Sequence, residues 1–280
     1  MKRLFLKLLA ALMALALAAL GLALLPAARR QAQLRRDARA VAAYRRAVEA
    51  MDPLESGTQL ARARSYNATL SGVRLADPFA SDANRTEDAA CAELLDPCGD
   101  GVMAVLEIPK LGAALPVRRG ASAAALETGV CHVPGTGLPT GDGAACVLAA
   151  EDGTKAARLF EDLDRLISGD CFYIRTLRET LAFQVERTVA VDAAGLPRAS
   201  LEGDVCVLMT RAPGDQRLLA LARRIPLRAV PLRDDTRLTP DWTARLLFAA
   251  PVLLAGLALL AAVETIRRAA ARRRLKRMKL

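Results

Sequence analysis

One histidine in 280 residues is the first scarcity. It leaves too few imidazoles for a zinc site, and no cysteine spacing supplies one, so no metal is expected. Any mechanism that needs an imidazole as acid or base has a single candidate, His132. Aromatic residues are also few, at 4%, although the hydrophobic share is 53%. Alanine and leucine carry the apolar mass, a skew toward apolar helices or membrane spans, because β-rich cores lean on aromatic and β-branched residues. There is no internal repeat, no low-complexity tract and no Gly-rich phosphate loop, and no cofactor is expected. Acidic residues number 30 against 40 basic ones, a formal charge of +10. Eight of those positives (Arg267, Arg268, Arg272, Arg273, Arg274, Lys276, Arg277 and Lys279) crowd the last fourteen residues. The rest of the chain is close to neutral, so there is no reason to expect a nucleic-acid partner.

Long uncharged runs are present. Leu8 to Ala28 holds 21 residues without a charge, and Leu246 to Val263 holds 18, both near the ~20 that cross a bilayer. The first run leaves two readings open, a retained anchor or a cleaved signal peptide. Arg29 and Arg30 follow it directly and argue for the anchor; Leu25-Pro26-Ala27-Ala28 keeps cleavage open. The basic block after the second run fixes the C-terminus in the cytoplasm by the positive-inside rule. A hairpin of two spans with both termini inside is the consistent topology. It predicts a membrane protein in contact with the lipid bilayer, its central domain extracytoplasmic.

Six cysteines fall in that outer region, where an oxidising exterior permits disulfides. Cys91 and Cys98 bracket a short loop and form the disulfide candidate; for the other four, buried inert thiols are expected.

Between the two runs the pattern divides. Residues 30–70 read as helix, with Val41, Tyr44, Val48 and Met51 at helical spacing and a break expected at Pro53 and Gly57. Residues 71–101 carry Gly, Pro, Asp, Asn and Ser without a period, a long loop. From Val102 onward short β-like runs follow: Val102–Ile108, Ala114–Val117, Ala145–Ala149, Cys171–Ile174, Leu181–Val191, Val205–Thr210 and Leu218–Ile225. One helical insert is expected at Ala156–Ile167, where Leu159, Phe160, Leu163 and Leu166 recur at three and four residues. Many short strands with turn signals imply a closed barrel or a sandwich.

Several motifs then become specific. Leu106-Glu-Ile-Pro-Lys-Leu111 with Leu115-Pro116, followed by Gly129-Val-Cys-His-Val-Pro-Gly-Thr-Gly-Leu-Pro139, resembles the opening strands of sortases. Leu159-Phe-Glu-Asp-Leu-Asp164 with Gly169-Asp170 and Phe172-Tyr173 resembles the next helix and strand. Asp204-Val-Cys-Val-Leu-Met-Thr210, with Pro213 and Arg217-Leu-Leu219, resembles the strand of the nucleophile and the approach to the essential arginine. Tyr66-Asn67-x-x-Leu70 and Asp77-Pro78-Phe79 resemble the helix signature and lid of class C, pilin-type sortases.

The resemblance implies a mainly β fold, a sortase-like eight-stranded β-barrel with N-terminal helices and two transmembrane helices. It implies the following organisation: 1–28 anchor, 29–75 juxtamembrane helices, 76–101 lid-like loop, 102–232 barrel, 233–245 linker, 246–264 second span and 265–280 basic cytoplasmic tail. It implies a cysteine transpeptidase that cleaves a Leu-Pro-x-Thr-Gly sorting signal and joins it to an amine. Carried over position by position, however, the nucleophile's place after Thr210 is taken by Arg211 and the acid–base histidine's place by Glu151. Arg217 stands at the family's arginine position. His132 matches a different, structural histidine of the pattern. Cys206 lies five residues before Arg211, so strand alternation turns it to the other face.

The expected function is a degenerate, peptide-binding or scaffolding sortase-family protein of pilus or cell-wall assembly. The alternative is an active transpeptidase attaching surface proteins or pilins. Expected partners are sorting-signal peptides or pilin subunits, with another sortase as a further one. The expected site is a cluster in which Glu151 and the lid's Asp77 neutralise Arg211 and Arg217, with Asp77 reaching Arg211.

Overall fold

The computed structural model describes residues 2–70, 73–74, 77–80, 91, 93–153, 159–198, 200–201 and 203–227, with the backbone alone for most of 2–23. The chain divides into two units, Ala28–Thr236 and Met1–Ala27 with Arg237–Leu280. The first carries the fold.

Helix α1 spans Lys2–Ala50 and α2 spans Pro53–Thr69. The stripe Val41, Tyr44 and Val48 is buried, with Met51 packed beside it. Tyr44 pins α1 to the barrel at two points: its hydroxyl donates to Met103 O at 2.9 Å and accepts from Leu177 N at 2.8 Å. Asp52 caps α2 by accepting from Leu54 N, and Pro53 occupies the first helical turn, where its missing N–H costs nothing. The break expected at Gly57 does not occur, because the helix restarts at Pro53 and runs through Gly57 with open space around it.

Ten strands follow: β1 Val73–Arg74, β2 Val102–Ile108, β3 Ala113–Arg118, β4 Val130–His132, β5 Cys146–Ala149, β6 Cys171–Thr176, β7 Glu179–Asp192, β8 Ser200–Leu201, β9 Val205–Ala212 and β10 Gln216–Ile225. Eight of them close a barrel in the order β10-β7-β6-β2-β3-β4-β5-β9, and β1 pairs with β8. The β3–β4 and β5–β9 pairs are parallel; the others are antiparallel. A short helix, α3 (Ala123–Thr128), capped by Ser122, links the parallel β3 and β4. Gly112, at φ 60°, makes the left-handed step that turns β2 into β3.

Alternation sorts the residues of β5 and β9 into two clusters. Cys146, Leu148, Cys206 and Leu208 join a core with Phe172, Phe183 and the helices. Val147, Ala149, Val207 and Met209 join Cys131, Val133, Leu219 and Phe79 on the other face.

Three expectations are corrected. Within 159–167 the helical insert is a string of turns and a 3-10 helix at Leu163–Arg165. Leu159, Phe160, Leu163 and Leu166 are buried as their spacing required, but the backbone bonds run Leu163 N to Phe160 O and Leu166 N to Leu163 O, i to i−3. The rest of that insert, 154–158, lies outside the described residues. Cys91 and Cys98 form no disulfide. Their loop is instead held by Asp96, which accepts from Asp100 N and Gly101 N, and by Arg119, which donates to Leu94 O. The two membrane-spanning helices find no support: among the described residues no helix is long and apolar enough to cross a membrane. Leu246–Val263, the linker and the basic tail lie outside the described residues.

Candidate functional site

The site is a row of side chains across five strands. Cys131 pairs with Ala149, Ala149 with Met209, Met209 with Leu219, and Leu219 with Val189, giving an apolar row on one face. Two residues further along each strand the chemistry turns ionic. Arg211 and Arg217 are register partners on β9 and β10, with Val191 beyond them, and Glu151 follows β5.

Two adjacent guanidinium groups repel unless anions join them. Arg211 Nε donates to Glu151 Oε1 at 3.0 Å. Arg217 holds Asp77 in a fork, Nε to Oδ1 at 3.0 Å and Nη2 to Oδ2 at 2.8 Å, the two-point geometry that makes Arg–carboxylate pairs strong. The expected partner of Asp77 was Arg211. Asp77 pairs with the neighbouring Arg217 instead, while Arg211 meets Glu151 and the Phe79 carbonyl. Exposure separates the two pairs: the Arg217 side chain is 6% exposed and that of Arg211 47%. Asp77 holds the Arg217 guanidinium still more firmly protonated than usual, burial opposing this more weakly.

The lid residues complete the site. Pro78 and Phe79 are buried and Asp77 is half-buried. Asp77 Oδ1 also accepts from Phe79 N at 3.1 Å, which fixes the turn. The Phe79 ring stacks under both cations, 5.1 Å from the Arg211 guanidinium carbon and 5.6 Å from that of Arg217. Its carbonyl accepts from Arg211 Nη2 at 3.3 Å.

His132 and the cysteines stand apart from this row. His132 is buried, its Nε2 3.0 Å from Gly137 O and 3.2 Å from Thr136 Oγ1; burial pushes its pKa down to about 4. Cys131 shares the groove face, but burial pushes its thiol up to about 12. Cys206 lies in the opposite cluster beside its register partner Cys146, and burial raises it well above the ordinary thiol range. Among the described residues no group of histidine, cysteine and carboxylate side chains could hold a metal.

Sequence reasoning missed the role of Asn67. Its amide donates to Leu138 O at 3.0 Å and Thr140 Oγ1 at 2.7 Å, and its carbonyl accepts from Leu138 N at 2.8 Å. It thus clamps α2 to the turn after His132. Strand register would have shown Arg211 and Arg217 to be neighbours; nothing local marks Asn67 as buried.

A closed eight-stranded barrel in the order β10-β7-β6-β2-β3-β4-β5-β9 is a sortase-type architecture. Residues 106–223 match the sortase domain model. Sortase C of Streptococcus pneumoniae is 30% identical, with a TM-score of 0.57, over 65% of this chain and 94% of that one. A pilus island 1 sortase C2 of Group B Streptococcus is 34% identical, with a TM-score of 0.56, over 63% and 100%. Sortase C1 of Streptococcus agalactiae is 29% identical, with a TM-score of 0.59, over 68% and 96%. Among curated proteins none matches. The chain belongs to the sortase family of cysteine transpeptidases and resembles its pilin sortases.

Proposed function

We propose that this sortase-family protein binds peptides in its lid-covered groove without cutting them, acting as a holding or scaffolding partner in pilus or cell-wall assembly. One observation carries the reading: the end of β9 bears Arg211, ion-paired at 3.0 Å with Glu151, where the resemblance expects a cysteine and a histidine. A guanidinium stays protonated at any working pH and cannot attack a carbonyl. Glu151 has no nucleophile to serve. A relocated thiol has little to offer, since a group with a pKa of about 12 is thiolate at roughly one part in 10⁵ at neutral pH.

Sorting-signal peptides and pilin subunits are the proposed ligands, by analogy with the pilin sortases that the chain resembles. Membrane anchoring is proposed on the sequence: the uncharged run Leu8–Ala28 has a helical backbone, and the basic tail orients the C-terminus inward. The test is incubation of the full chain with a Leu-Pro-x-Thr-Gly peptide and an amine. The reading expects binding and no new peptide bond. Any turnover would refute a site that holds peptide without cutting it, and its loss or survival in Cys206→Ala and His132→Ala would show whether those residues carry it.

A further inference from the structure

We propose that Arg211 and Arg217, with the apolar seat beneath them, form a recognition site for a peptide carrying a side-chain carboxylate two residues before an aromatic ring. The lid segment Asp77–Phe79 is its internal occupant. The inference rests on the non-cleaving reading above and names, for the pilin partners proposed there, a segment other than the Leu-Pro-x-Thr-Gly signal that this site selects.

Three contacts define the selectivity, and all come from three consecutive residues. The fork between Arg217 and Asp77 requires two carboxylate oxygens in the guanidinium plane, at 2.8 and 3.0 Å. An amide can satisfy only one of those donors and brings no charge to offset Arg217, whose other acidic neighbour, Asp215, lies 3.5 Å away on an exposed side chain. The Phe79 position requires an aromatic, because its ring lies under both guanidinium carbons and is buried in the cluster that holds Val207, Met209 and Leu219. The Phe79 carbonyl, accepting from Arg211, requires a peptide bond at that position. None of these contacts depends on the occupant being part of the chain. A ligand of the same three-residue chemistry would meet the same donors, including the turn in which Asp77 accepts from Phe79 N.

Glu151 is the reason why the second cation does not demand a second ligand charge. It already holds Arg211 Nε, leaving Nη2 for the ligand carbonyl. The site therefore takes one carboxylate.

An occupant tethered in the chain competes at an effective concentration on the order of millimolar, so binding in trans is read with the lid's own groups removed. The experiment uses the full chain carrying Asp77→Asn and Phe79→Ala, with circular dichroism to verify its fold. Fluorescence anisotropy follows labelled acetyl-Asp-Pro-Phe-amide. The expected result is binding about tenfold tighter than to the unsubstituted chain, and about tenfold tighter than that of the Asn-Pro-Phe probe. Adding Arg217→Gln should abolish it. A probe whose only carboxylate is its C-terminus, acetyl-Leu-Pro-Ala-Thr, tests the chain end as the source and should bind more weakly. Equal binding of the Asp and Asn probes, binding that survives Arg217→Gln, stronger binding of the chain-end probe, or no binding to the folded variant would each overturn the inference. Cleavage of a Leu-Pro-x-Thr-Gly peptide by the same variant would instead sink the non-cleaving reading. Absent carboxylate binding without cleavage sinks only this inference.

Discussion

Two polar clusters sit on this barrel and handle their buried polar groups in opposite ways. Around the turn after β4, Asn67, His132, Thr136 and Thr140 are all buried, and neutral side chains meet backbone groups and one another at 2.7–3.2 Å. Along the end of β9 and β10, charged groups meet charged groups, and the partner of the most buried cation comes from a separate segment, Asp77 on the lid. The first arrangement locks one backbone conformation, since Asn67 and His132 each bond fixed main-chain atoms, Leu138 O, Leu138 N and Gly137 O. The second specifies a charge pattern that another carboxylate can satisfy. On the proposed reading, structure and recognition are thus divided between the two clusters.

The sharpest way to break that division is at the locked cluster. Asn67→Ala leaves Leu138 N buried without a partner and removes the bonds to Leu138 O and Thr140 Oγ1; at 1–3 kcal/mol for the orphaned amide and about 1 kcal/mol per lost bond, it should cost about 4 kcal/mol in urea unfolding. A loss under ~1 kcal/mol would mean that the turn is held by other means.

Next in size is the pH response of His132. Its folded pKa of about 4 lies below the ordinary 6.5. As pH falls from 6.5 to 4 the unfolded chain takes up a proton that the folded chain refuses, and stability drops by about 3 kcal/mol. His132→Gln should flatten that slope. Asp37 works the other way: burial, opposed by Gln33 and by Arg118 and Arg36, raises its carboxyl to about 6. It gains its proton first in the folded state, so it adds stability as pH falls from 6 toward 4. Asp37→Asn should therefore steepen the acid loss, as read from melting temperature against pH.

At the ionic cluster, Arg217→Gln strands a half-buried Asp77 and should cost about 2 kcal/mol, less than a fully buried pair. It should also raise protease access at residues 77–80. Arg211→Gln is the smallest effect, about 0.5 kcal/mol, because the Arg211–Glu151 pair is largely solvated. If Arg211 proved the costlier of the two, the ranking by exposure would be wrong.

Much of the fold was legible in sequence, for identifiable reasons. The strands announced themselves because β2, β7, β9 and β10 are apolar or alternating runs bounded by Gly, Pro and Asp. The stripe Val41–Tyr44–Val48 was legible because helical spacing leaves one face to bury. The turns around Leu163 were not, since a helix and a chain of i to i−3 turns bury residues three apart equally well. The Arg211–Arg217 juxtaposition was half legible: motif positions brought both to one site, but the choice of partner for Asp77 depends on β9–β10 register, which spacing alone does not give. The absence of a Cys91–Cys98 bridge was not legible, because Asp96 closes that loop by hydrogen bonds that any short Asp-containing turn could make.

The central claim is that the arginine-lined site holds peptide and does no acyl chemistry. The most direct test is intact-mass spectrometry of the full chain carrying Asp77→Asn and Phe79→Ala, after incubation with excess Leu-Pro-x-Thr-Gly peptide. An unmodified chain mass and an intact peptide are predicted. A mass increase equal to the peptide's Leu-Pro-x-Thr acyl portion would contradict that claim.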